Sequence, residues 1–276
     1  MMRRPDGWAA DPKMEGPMTT RRDLIASGLA ATTLVANRAP AKAQSAQKTF
    51  VLVHGSWAGG WIWRPVANLL ESGGHKVFTP TLTGVGERSH LLNDKVNLST
   101  HITDIVNVIK WEQLNNLILV GHSYGGNVIT GVTEQVEPAI RSIVFLDAFV
   151  PEDGPLPQAQ IIVDAIREAK TKGESGIKPP PIKFFENDEQ SNAWLGARLT
   201  PMPIGSYTDS IVVTGARERI RKKIFVRATR YRQDPFEAAY NKVRSNPTWT
   251  TFELMCGHHA MVDVPERVTQ ILLDAT

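Results

Sequence analysis

Gly121-His122-Ser123-Tyr124-Gly125 places a serine two positions from a glycine on either side. A serine hydroxyl is a weak nucleophile near neutral pH, so it serves in acyl transfer only with a base to take its proton and an acid to orient that base. In G-x-S-x-G the glycines let a strand turn sharply into a helix, which lifts the serine Oγ clear of the sheet end. Asn116-Leu117-Ile118-Leu119-Val120 supplies the apolar strand, and the helix beginning at Gly125 aims its N-terminal dipole at the turn. This context points to Ser123 as a nucleophile rather than as part of an ordinary tight turn.

The elements that must position this serine are legible as an alternation of short apolar runs and helical patterns, the mark of a parallel sheet wound with helices. Strands are expected at Thr49 to His54, Lys76 to Thr81, Asn116 to Gly121, Ile140 to Asp147, Lys223 to Thr229 and Thr250 to Met255. Ile102, Ile105, Val106 and Ile109 form one apolar helix face. Several of the runs are apolar without alternation, as strands covered on both faces should be. The predicted class is α/β, a mostly parallel sheet of about six strands flanked by helices. The core spans 44–150 and 223–276. Residues 151–222, with Pro179-Pro180-Pro181 and no clear strand, break the rhythm and are expected to form a helical cap.

Composition narrows the function classes. A chain of 276 residues, 42% hydrophobic and 21% charged, can bury one sizeable core. Its net charge of +3 is spread without a polybasic block, which argues against a nucleic-acid partner. The single cysteine, Cys256, allows no intrachain disulfide and reads as a small buried hydrophobe. No metal or nucleotide motif is present, so no cofactor or metal is expected. Residues 1–43 differ in kind: Arg21-Arg22 precedes a short apolar run, Leu24 to Ala36, and then Ala41-Lys42-Ala43. This pattern resembles a twin-arginine export signal with a small-residue cleavage site, and the run is too short for a stable membrane anchor. The mature chain is expected to begin near Gln44 and to be periplasmic.

The base should lie on a loop after the last strand, where Cys256-Gly257-His258-His259-Ala260-Met261 stands. With this segment, His54-Gly55-Ser56-Trp57, Thr79-Pro80-Thr81-Leu82-Thr83-Gly84 and the serine turn, the chain from Lys48 to Ala275 resembles the α/β-hydrolase superfamily. Within it the similarity is to the small-esterase branch of plant methyl-salicylate esterases, hydroxynitrile lyases and bacterial carbendazim-hydrolase-like enzymes. The resemblance implies that the base lies three residues before Met261, which selects His258 and makes His259 a wall or surface residue. It also implies Ser56 as one oxyanion donor, the other being the backbone N–H of Tyr124, each typically worth about 3 kcal/mol. His54 is read as bracing its loop, and Trp57 is the one tryptophan of its loop expected to reach the substrate.

The orienting acid departs from the plant pattern, because Arg230 stands where those enzymes carry an aspartate. Two carboxylates qualify. Asp234 precedes Pro235 and reads as a helix N-cap. Asp147 ends the strand after the nucleophile helix, where haloalkane dehalogenases similarly place an acid; a carboxylate there needs a partner to offset its desolvation, and an imidazole N–H supplies one. Asp147 is preferred. The expected function is therefore a cofactor-free serine hydrolase acting on a small hydrophobic ester, carbamate or related acyl compound. A hydroxynitrile lyase is the alternative, opposed by Gly55 and His259 where those lyases carry threonine and lysine; a non-catalytic binder on the same fold is the other. Phe184, Phe185, Trp194, Leu195, Met202 and Ile204 are expected to line the cap side. N-terminal sequencing of the exported protein should find a start near Gln44; an intact Met1 or Met18 overturns the export reading.

Overall fold

A computed structural model describes residues 46–275 apart from Pro157 and Ala159, so the expected export segment lies outside the described residues. Six strands, β1 (Thr49–Val53), β2 (Lys76–Phe78), β3 (Leu117–His122), β4 (Ile140–Leu146), β5 (Lys222–Ala228) and β6 (Trp249–Leu254), form one sheet in the order β6-β5-β4-β3-β1-β2. Every neighbouring pair is parallel. Each lies within a residue or a few of its expected position.

Alternate side chains along the buried strands serve opposite faces. Val51 and Val53 of β1, with Leu119 of β3 and Phe145 of β4, meet α2 (Leu98–Trp111) and α3 (Gly125–Val136). Phe50 and Leu52, with Val120 and Val144, meet α1 (Arg64–Ser72) and α7 (Pro265–Leu273) on the other side. Burial on both faces is why these runs are continuously apolar in sequence. Ile102, Ile105, Val106 and Ile109 are all buried on α2, whose start is fixed by a reciprocal cap between Asn97 and Thr100.

Between β4 and β5 the chain forms an insertion with two longer helices, α4 (Gln160–Thr171) and α5 (Glu189–Gly196). It is not strand-free, as the sequence reading had it. Gly154–Pro155 pairs antiparallel with Ser210–Ile211, and Gly176–Ile177 with Met202–Pro203. Two-residue ribbons carry too little periodicity to register in a sequence. A second small difference lies at α6 (Asp234–Arg244): Gln233 occupies the cap position and Asp234 is the first helical residue.

The strand order reverses direction at β3, with β1 on one side and β4 on the other. Loops leaving the carboxyl ends of β1, β3 and β4 therefore converge, and such a crevice is where ligands of α/β sheets bind. The turn from β3 into α3 is so close that a Cβ on Gly121 would stand 2.6 Å from the Gly125 carbonyl oxygen. Because that obstacle is backbone, Gly121→Ala is expected to cost at least about 2 kcal/mol of stability, read as a lower urea midpoint; an unchanged midpoint overturns this account.

Candidate active site

Ser123 occupies the left-handed region, φ 53, immediately after β3. A residue with a side chain stays there only when its surroundings hold it. Its N–H donates to Leu146 O at 3.3 Å, and its carbonyl accepts from Gly126 N at 3.0 Å and Phe149 N at 3.1 Å. Gly55 lies against it: a Cβ there would stand 2.8 Å from both the Ser123 Cβ and His122 Nδ1. The loop after β1 thus reaches the serine only because residue 55 has no side chain.

His258 is buried on the loop after β6, and its Nδ1 donates to Asp147 Oδ2 at 2.7 Å. That bond puts the ring proton on Nδ1 and leaves Nε2 as an acceptor. The ring lies among Tyr231, Phe236 and Phe185, with centroids 4.2, 5.0 and 6.0 Å away. His122, the residue before the serine, donates from Nε2 to the His258 carbonyl at 2.9 Å. The serine turn and the histidine loop are therefore tied together directly.

Asp147 is fully buried after β4, with φ 41. Its Oδ1 accepts from Arg227 Nη1 at 2.5 Å and from Ala228 N at 3.1 Å, while Oδ2 faces His258. Asp234 is exposed on α6. Arg230, standing where the plant pattern has its acid, pairs with Asp263 at 3.0 Å, and that same carboxylate accepts from Gly257 N at 2.8 Å, bracing the loop that carries His258. Arg227 was missed in the sequence reading. A lone arginine inside an apolar strand, Lys222–Ala228, was the available sign that a buried anion lay opposite.

Ser56 and Tyr124 are buried, and among the described residues the backbone N–H of neither has a protein acceptor. Buried N–H groups are almost always paired, so these two are exceptions. Trp57 has φ 62 and donates from Nε1 to Ile177 O at 3.1 Å. Its ring packs 6.0 Å from Phe185 and borders a cavity of about 320 Å³ between α4 and Pro179-Pro180-Pro181. His54 donates from Nδ1 to Gly55 O at 2.7 Å and accepts from Leu82 N at 3.0 Å, which joins the loops after β1 and β2.

Of the expected cap lining, Phe185 meets His258 and Phe184 meets Tyr231. Leu195 and Trp194 instead pack into the opposite face of the core, with Trp194 against Trp61 at 5.1 Å. His259 is buried rather than at the surface: Asn187 donates from Nδ2 to its Nδ1 at 2.9 Å and accepts from its N–H at 3.0 Å. Among the described residues no group of three or more His, Cys, Asp or Glu could hold a metal ion, and no helix is long and apolar enough to cross a membrane.

The sequence matches the model of the alpha/beta hydrolase family over residues 50–271. It is 38% identical over 235 residues to a carbendazim hydrolyzing esterase of Nocardioides sp. (strain SG-4G), covering 81% of this chain and 97% of that one. It is 25% identical over 248 residues to a putative chloroplastic methylesterase 14 of Arabidopsis thaliana, covering 82% and 71% respectively. Among solved structures, an extracellular alpha/beta-hydrolase from a Paenibacillus species superposes with a TM-score of 0.71 at 26% identity, over 83% of this chain and 98% of that one.

Several histidines around the site are held neutral. Burial lowers His54 to about 4. Burial and the neighbouring His258 push His122 and His259 well below the ordinary value of 6.5. In the unfolded chain the same imidazoles titrate near 6.5. As pH falls below that value the unfolded chain takes up protons that the fold refuses, so stability fully present above pH 6.5 is lost progressively toward pH 4. His54 alone accounts for about 3 kcal/mol across that window. Denaturant unfolding at pH 7 and pH 5, where most carboxylates remain ionised, should show a clear loss at pH 5; level stability overturns the assignment of neutral buried histidines.

Proposed function

The chain belongs to the alpha/beta hydrolase family and is an esterase-type enzyme of it, and on that premise we propose that it cleaves small hydrophobic esters or carbamates through Ser123, His258 and Asp147 and an acyl-enzyme. The observation that carries this reading is the 2.7 Å bond from His258 Nδ1 to the buried Asp147, which leaves Nε2 to serve the serine turn. Ser123 Oγ attacks the acyl carbon while His258 Nε2 takes its proton. The N–H groups of Ser56 and Tyr124 receive the negative charge that develops on the acyl oxygen. His258 then returns the proton to the leaving group, and water repeats the sequence on the acyl-enzyme. Asp147 holds the imidazole in the required tautomer and stabilises the imidazolium.

The aromatic side chains beside the histidine, Phe185 and with it Trp57, favour an apolar acyl or alcohol group. The similarity to a carbendazim hydrolyzing esterase supports carbamates within this class. Residues 1–43 are read as an export signal, which places the enzyme in the periplasm, where it would meet external compounds.

Ser123→Ala and His258→Ala should each lower kcat/KM on 4-nitrophenyl acetate by at least about 10³-fold. An organophosphate should label Ser123, and EDTA should leave the rate unchanged. Asp147→Asn should lower kcat by about 10³- to 10⁴-fold, while Asp234→Asn stays near wild type. Labelling at another serine, or a fully active Asp147→Asn, overturns the assignment.

A further inference from the structure

The insertion contributes one hydroxyl on Ser56 for which the steps above have no use. Tyr207, on the single helical turn Gly205–Thr208, is buried, and its hydroxyl is hydrogen-bonded to Ser56 Oγ. Its ring packs 5.5 Å from that of Tyr124. Tyr207 therefore touches both residues whose N–H groups are unpaired. Ser56 follows Gly55, the residue in closest approach to the Ser123 Cβ.

A count of protons makes this pair unusual. The Tyr124 hydroxyl is spent: His101 Nε2 donates to Thr83 O at 2.8 Å, so its Nδ1 accepts the Tyr124 proton, at 2.9 Å. Ser56 and Tyr207 have two hydroxyl protons and one bond between them. Each has only the other as a side-chain partner among the described residues, so one buried O–H has no protein acceptor. A phenol is the more acidic of the two and an alkyl hydroxyl the better acceptor, which directs the Tyr207 proton to Ser56 Oγ and leaves the Ser56 proton spare. Burial holds the Tyr207 phenol well above its ordinary value, so it remains a donor throughout the working pH range.

We propose that Ser56 Oγ–H is a third, side-chain donor to the acyl oxygen of the substrate, oriented and polarised by the Tyr207 hydroxyl that the insertion places on it. This rests on the serine-esterase reading. Neither hydroxyl gives up its proton; both strengthen their hydrogen bonds as negative charge collects on the acyl oxygen, and such donors act mainly on the transition state. Ser56 would touch the reacting group and Tyr207 would act through it as a positioning residue. The insertion thereby completes the charge-stabilising site that the core loops begin.

Tyr207→Phe keeps the ring packing and removes the phenol oxygen; Ser56→Ala keeps the backbone N–H and removes the side-chain donor. With 4-nitrophenyl acetate, Ser56→Ala should lower kcat by about 100-fold and Tyr207→Phe by about 10-fold, each with KM within about threefold. The double variant should be no slower than Ser56→Ala, because Tyr207 acts through Ser56. An arylboronic acid that mimics the tetrahedral intermediate should lose affinity in parallel, a readout that a purely structural hydroxyl pair would not move. Unchanged kcat in either folded single variant, or additive losses in the double variant, overturns the proposal. If Tyr207→Phe does not fold, Ser56→Ala alone decides by the same criteria. A wild-type protein that neither turns over the ester nor takes an organophosphate on Ser123 instead refutes the underlying esterase reading.

Discussion

The buried carboxylate of Asp147 is the constraint around which the site is arranged. An isolated anion at the end of an apolar strand is costly, and the structure divides its two oxygens between two partners: Oδ1 to Arg227 and the Ala228 N–H, Oδ2 to His258. Arg227 is itself buried, so its other protons go to Ala228 O at 2.7 Å, Tyr231 O at 2.5 Å and Glu237 at 3.3 Å. Removing one member of such a pair typically costs about 3–5 kcal/mol, because the other charge is left alone. Asp147 is therefore fixed in position by β5 before it meets the histidine, and the imidazole inherits that orientation.

The loops around it are tied to one another as well as to the sheet. Thr229 N donates to Leu254 O at 2.9 Å and Arg230 N to Cys256 O at 3.1 Å, which ties the loop after β6 to the chain leaving β5. His258 N donates to Phe185 O at 2.8 Å, joining that loop to the insertion. On the far side, Thr81, Glu87, Arg88 and Asp104 brace the chain after β2: Thr81 Oγ1 donates to Glu87 at 2.5 Å and Thr83 N to Asp104 at 2.7 Å. The run Gly84 to His90 is thus an anchored loop.

The insertion reaches the site through contacts of several kinds. Phe185 stacks on the histidine, Asn187 grips His259, and Tyr207 meets Ser56. All three come from a segment that, in sequence, shows only proline, charge and short apolar pieces. Cys256 is a packing residue by comparison, its thiol pushed up to about 12 by burial and nearby Asp263.

The six parallel strands, the amphipathic helix over Leu98–Trp111 and the serine turn were legible in the sequence because each depends on local properties: apolar runs, a 3.6-residue period and glycines at fixed offsets. Adjacent His258 and His259 differ by nothing local; only the family resemblance singled out His258, the one whose Nδ1 meets Asp147. The choice between Asp147 and Asp234 was not local at all. Both end a strand or open a helix, and only the order of strands puts the end of β4 beside β5, so that Arg227 and His258 reach Asp147 while Asp234 stays exposed. Arg227, Asn187 and Tyr207 escaped for the same reason: their partners lie 80, 72 and 151 positions away in the chain. What the sequence by itself determined is the set of elements and the glycine-flanked serine turn; tertiary structure alone decided which charges and hydroxyls meet, because burying a polar group compels it to find a partner in space, wherever that partner lies in the chain.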